Sequence, residues 1–162
     1  MKNGWVIVEQ ARTWIGTKYH HQGRLKKTAR DAGGVDCIGL ILGVMAEFEL
    51  KSRLRDAAGR RIPFTAFDRK GYSQQPQGQL LKILMDKYLV PIAVDAVAEG
   101  DMLLFRIVNN PQHVGFVSSY PSGGLGLIHC YAAVGRVVEH RLDDKWRNRV
   151  VGAYRFNDDC FG

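Results

Sequence analysis

The sequence predicts an α+β fold in which helices come first and an antiparallel sheet follows. Two observations predict it. In the first half, apolar residues recur at helical spacing, as in Trp5, Val8, Ala11, Trp14 and Ile15. From residue 102 onward, short β-rich runs alternate with turn clusters, among them Asn109-Asn110-Pro111 and Pro121-Ser122-Gly123-Gly124. A length of 162 residues suits one domain spanning 1–162 with a core of its own.

The first helix is expected from Asn3, a plausible N-cap, to about Ile15, with Gly16 closing it. A polar, basic loop follows over 17–34. The run from Cys37 to Leu50 is apolar almost all round, which predicts a buried central helix capped by Asp36. Residues 51–75 are basic and rich in turn formers, and they read as an irregular surface excursion. Gln77 to Tyr88 reads as an amphipathic helix stopped before Pro91. About five strands then follow: Met102–Arg106, His113–Ser119, Leu125–Tyr131, Arg136–Leu142 and Val151–Phe156.

A net charge of +7 favours anionic partners or a solvated basic surface. Lys and Arg concentrate in Arg24-Leu-Lys-Lys-Thr-Ala-Arg30 and between Lys51 and Arg61. No RRM, KH or helix-turn-helix pattern accompanies them, so a specific nucleic-acid binder is not expected. Val35 to Leu50, the best candidate for a membrane span, carries Asp36, Glu47 and Glu49, and none is expected. The N-terminal run has no signal-peptide h-region, which predicts synthesis in a bacterial cytoplasm without a signal peptide. Cys37, Cys130 and Cys160 are too few and too widely spaced for a disulfide framework or a metal knuckle.

Cys37 is the first candidate for chemistry. It opens a helix directly after Gly33-Gly34-Val35-Asp36, where unpaired N–H groups and the positive end of the helix favour thiolate. A thiol nucleophile needs a base, and the base needs an orienting partner. His113 and His129 fall on neighbouring strands joined by the Pro121–Gly124 turn, so both imidazoles can share a face. Alternation puts Cys130 on the other face, away from that site. His20-His21 is an adjacent pair without chelate spacing, so a zinc site is not expected. His140 reads as a surface strand residue.

These residues resemble the NlpC/P60 cysteine peptidases. The pattern Ala-x-x-x-x-Gly-Thr-x-Tyr is matched by Ala11 to Tyr19, and Gly-Val-Asp-Cys-Ser-Gly-Leu by Gly34-Val-Asp-Cys-Ile-Gly-Leu40. Gly100-Asp-Met-Leu, His113-Val-Gly, Ile128-His-Cys130 and Gly152-Ala-Tyr-Arg155 follow in the family's order. The resemblance implies a compact papain-like fold, with Cys37 as nucleophile, His113 as base and His129 as the group that orients it. It further implies that Tyr19 helps line the oxyanion region and that Asp36 helps hold the substrate's amino group. No cofactor and no metal are implied. The His-His-Gln run after Tyr19 is most similar to the subgroup found in phage tail operons and gene-transfer-agent clusters. Two departures stand out: Ile38 replaces the usual serine, and Cys130 replaces a small residue.

The implied function is hydrolysis of peptidoglycan stem peptides at a D-glutamyl–diamino acid bond, with phage-like tail proteins as further partners. An amidase or acyltransferase using the same residues is the alternative enzyme reading. A tail-assembly protein that keeps the domain only as structure is the non-enzymatic one.

Overall fold

The computed structural model describes residues 3–68, 71–72, 80–108 and 110–161. In chain order the elements are α1 (Gly4–Arg12), β1 (Arg24–Leu25), β2 (Gly34–Val35), α2 (Cys37–Glu47), β3 (Lys51–Arg55), β4 (Arg61–Pro63), α3 (Leu80–Tyr88) and β5 (Val90–Ile92). There follow β6 (Met102–Ile107), β7 (Asn110–Ser119), β8 (Leu125–Tyr131), β9 (Arg136–Arg141), α4 (Asp144–Arg147) and β10 (Val150–Arg155). Short 3₁₀ turns cover Phe64–Phe67, Val94–Ala96 and Asp158–Phe161.

The sheet is antiparallel with the order β5-β10-β6-β7-β8-β9. It has six strands where the sequence predicts about five, because Val90–Ile92 pairs with β10 at one edge. That short run around Pro91 carries no alternation by which to recognise it, and Pro is tolerated at such an edge.

Each strand sends alternate residues to opposite faces. Leu104, Val114, Phe116, Ile128 and Cys130 meet α2 and α1 in the larger core, while Leu103, Phe105, Val117, Leu127 and Trp146 form a second layer behind the sheet. The central helix α2 is buried through Leu40, Ile41, Val44 and Met45. It lies close because of small residues at its contacts: a Cβ on Gly43 would sit 2.2 Å from the Trp14 ring. Arg12 bonds Glu139 through Nε and Nη2 at 3.0 and 2.9 Å, tying α1 to β9.

Two expectations are corrected. Helix α1 ends at Arg12, three residues early, and Asn3 makes no side-chain cap hydrogen bond. Thr13 to Gly16 instead forms turns that close on Gly16, whose φ of +92° suits glycine. The 51–75 excursion is not irregular: β3 and β4 form an antiparallel ladder, and the next turn buries Phe64 in the core. Basic residues alternate with Ser52 and Leu54, and local composition hides that pattern. Residues 69, 70 and 73–75 of the excursion, and 77–79 of the expected helix before Leu80, lie outside the described residues.

Candidate active site

Asp36 sets the start of α2. Its Oδ1 accepts from the Gly39 N–H at 2.8 Å and from Arg24 Nη1 at 3.2 Å. Its Oδ2 accepts from the Gln22 N–H at 2.9 Å and from the Tyr72 hydroxyl. A carboxylate offers about four acceptor directions, and all of them are in use. Gly39 permits this close approach, since a Cβ there would sit 2.1 Å from the Gly23 carbonyl oxygen. Asp36 is therefore bound to its own fold, and a substrate amine would reach it only by displacing one of these donors.

Cys37, half-buried, begins the helix. The backbone N–H groups of Val114, Ile38 and Cys37 itself lie near enough to its sulfur to favour the thiolate. The Val114 contact places the sulfur against the His113–Val114 peptide. The thiol is not depressed, contrary to the expectation from its helix position. Burial pushes it up to about 12, the Asp36 carboxylate adds to the rise, and the N–H groups only partly oppose them. The resting group is a neutral thiol, so attack requires a base.

His113 pairs with Phe105 and shares its face of the sheet. The registered β7–β8 pairs run from Ser119↔Leu125 to Phe116↔Ile128, which carries His129 onto the same face as His113. Gly115 makes room, because a Cβ there would meet the His129 Cβ at 2.9 Å. His113 is 3 % exposed and His129 0 %. Cys130 points to the opposite face, where its sulfur donates to the Val35 carbonyl at 3.3 Å.

The imidazoles form a line. His113 Nε2 lies 2.7 Å from His129 Nδ1, and His129 Nε2 lies 2.8 Å from His140 Nε2. His140 Nδ1 ends the line 2.7 Å from the Arg141 carbonyl oxygen. That oxygen can only accept, and it sets the direction of every bond behind it. His140 donates from Nδ1, so in the neutral ring its Nε2 accepts from His129 Nε2–H. His129 Nδ1 then accepts from His113 Nε2–H. His113 is left with an unprotonated Nδ1, the atom a general base needs.

Burial keeps His113 and His129 neutral. It lowers His113 to about 3, helped by the Arg149 guanidinium, and lowers His129 to about 2, helped by His113 and His140. Trp146 covers the line, with ring centroids 4.7 Å from His129, 5.5 Å from His113 and 6.0 Å from His140. The short helix α4 holds that tryptophan, with Asp143 Oδ1 accepting from the Trp146 N–H at 3.0 Å.

His140 thus joins the line of imidazoles, although the sequence reading places it on the surface. The signal was available: His129 pairs with Val138, and two residues further along β9 on the same face stands His140. Trp146 had no such signal, since its position depends on a turn of helix between strands. Tyr19 lies beside Val35, two residues before Cys37, through an isolated parallel bridge. His20 Nδ1 and His21 Nε2 face two different carbonyls, those of His21 and Tyr72, at 2.9 Å each. Among the described residues no group of three or more His, Cys, Asp or Glu side chains is placed to hold a metal ion.

The fold is shared with solved structures. The chain is similar to the NlpC/p60 domain of the peptidoglycan hydrolase SagA, with a TM-score of 0.59 and 21% identity over 95% of this chain and 99% of that one. NlpC2 from Trichomonas vaginalis gives 0.58 and 16%, over 95% of this chain and 46% of that one. An N-acetylmuramoyl-L-alanine amidase from Bacteroides uniformis gives 0.52 and 13%, over 98% of this chain and 100% of that one. No family model and no curated protein matches the sequence.

Proposed function

We propose that the chain is a cysteine hydrolase that cleaves an amide of a peptidoglycan stem peptide through a thioester on Cys37. The observation that carries this reading is the directed line of imidazoles, which leaves His113 Nδ1 unprotonated on the residue next to Val114, whose N–H lies near the Cys37 sulfur.

As the sulfur attacks the amide carbonyl, the thiol proton passes to His113 Nδ1. His113 then protonates the leaving amine, and on the return half-reaction it takes a proton from the water that hydrolyses the thioester. His129 holds the His113 ring and tautomer and does not touch substrate. Tyr19 helps line the oxyanion region. We assign Asp36 to fixing the helix start, because its acceptor directions are filled.

The substrate class rests on the fold shared with SagA and the amidase, and the D-glutamyl–diamino acid bond rests on the matched motifs. The Tyr19-His-His-Gln22 run supports an association with phage-like tail proteins. Purified protein incubated with muropeptides, and the products weighed by mass spectrometry, tests this. Cleavage between D-glutamate and the diamino acid that is lost in Cys37→Ala is expected. Intact muropeptides would overturn the substrate, and cleavage by Cys37→Ala would overturn the mechanism.

A further inference from the structure

A cavity of about 400 Å³ lies beside the start of α2, on the face of the sheet opposite the histidines. Ile38 and Ile41 of α2, Phe64 and Phe67 of the turn after β4, Leu84 of α3 and Val114 of β7 supply its walls. Ile38 directly follows Cys37 in α2, and Val114 directly follows His113 in β7. The features that set this chain apart from the family pattern build the cavity: Ile38 in place of serine, and the 51–75 excursion that brings in Phe64 and Phe67.

Its position relative to Cys37 decides which part of a substrate it holds. Ile38 follows the nucleophile in α2 and lines the cavity, so the group carried on the sulfur, the acyl portion, is the one that can reach it.

The walls decide the chemistry of that portion. Gln112 is polar, but its Nε2 already donates to the Ile107 carbonyl at 2.6 Å. The Tyr72 hydroxyl donates to Asp36 and accepts from Arg24 Nη2 at 2.9 Å. A peptide or carboxylate entering here would find its polar groups desolvated without partners, which disfavours it strongly. A hydrocarbon chain would not. At roughly 30 Å³ for a water-sized group, the cavity takes on the order of ten of them.

We propose that Cys37 also hydrolyses hydrophobic acyl esters, and that this cavity is the subsite for a medium-length acyl chain of roughly ten carbons. The proposal rests on Cys37 as nucleophile and His113 as base, and not on the stem-peptide substrate. The sulfur attacks the ester carbonyl as His113 Nδ1 takes the thiol proton; the carbon–oxygen bond to the alcohol breaks, and the alcohol leaves with that proton. Water then adds to the thioester, the sulfur–carbon bond breaks, and the fatty acid is released with the thiol restored.

The test is a series of p-nitrophenyl esters from acetate to dodecanoate. kcat/KM should rise about fourfold per added methylene, the worth of burying one such group, and level off near ten carbons. Cys37→Ala should abolish hydrolysis across the series. Leu84→Trp should move the plateau to shorter chains, with circular dichroism to check its fold and Leu42→Phe as the second filling variant. Independently, cis-parinaric acid should bind the Cys37→Ala protein and be displaced by decanoate. A flat series with Cys37-dependent acetate turnover would overturn the subsite and leave the thiol hydrolase standing. So would failure of parinaric acid to bind. Turnover that survives Cys37→Ala would overturn both.

Discussion

Acidification from pH 7 to pH 5 should destabilise this protein through His113 and His129. Both are lowered by burial, to about 3 and about 2, whereas an unfolded chain titrates histidine near 6.5. Between those values the unfolded state binds protons that the folded state refuses, so stability rises with pH. The contribution is complete above about 6.5 and is lost as pH falls toward about 3. For one such group the linkage relation gives a loss of about 2 kcal/mol between pH 7 and pH 5, or about 4 kcal/mol for the two. Set against a typical total of about 5–15 kcal/mol, that is a large share. Urea denaturation at pH 7, 6 and 5 measures it. The carboxylates held low by partners, Glu47, Asp86 and Glu139, lose their contribution mainly below this window. His129→Gln removes one of the titrating rings, so it should lose about half of the pH dependence. Constant stability between pH 7 and pH 5, or an undiminished slope in His129→Gln, would refute the neutral state of His113 and His129.

His113→Ala should reduce turnover by about a thousandfold, since proton transfer fails in both half-reactions. His129→Asn should keep measurable activity while His129→Ala loses more, and the losses in His113→Ala and Cys37→Ala should not add, because the residues act as a unit. His140→Phe should lower kcat on the order of tenfold with KM unchanged, as one buried N–H loses its acceptor, and His140→Gln should restore most of it. Asp36→Ala should destabilise the fold by about 3 kcal/mol or more, seen by thermal melting, because it strips Arg24 of a buried partner and α2 of its cap; Asp36→Asn should lose less. Activity should survive EDTA, which a turnover assay before and after dialysis checks.

Much of the fold was legible because it depends on local pattern. The apolar run after Asp36 argues for a buried helix, and the alternation in His113–Ser119 and Leu125–Tyr131 lets the two imidazoles share one face, as the β7–β8 register has it. What the sequence concealed depends on tertiary placement. Cys37 stands at a helix start, which alone would depress its thiol, yet the core around it reverses the sign. His140 reads as a surface residue until the β8–β9 register sets it diagonally across from His129. The strand at Val90–Ile92 exists only because β10 offers an edge. The apolar cavity is invisible in composition, being assembled from α2, α3, β7 and a turn far apart in the chain.

The central claim is that Cys37 carries the acyl group. Rapid acid quench of the enzyme during turnover of p-nitrophenyl acetate, followed by peptide mapping, tests it most directly. An acetyl group on the peptide containing Cys37, absent from Cys37→Ala and accumulating in His113→Ala only slowly, is the expected result. Acetylation at Cys130, Cys160 or a lysine, with turnover persisting in Cys37→Ala, would contradict it.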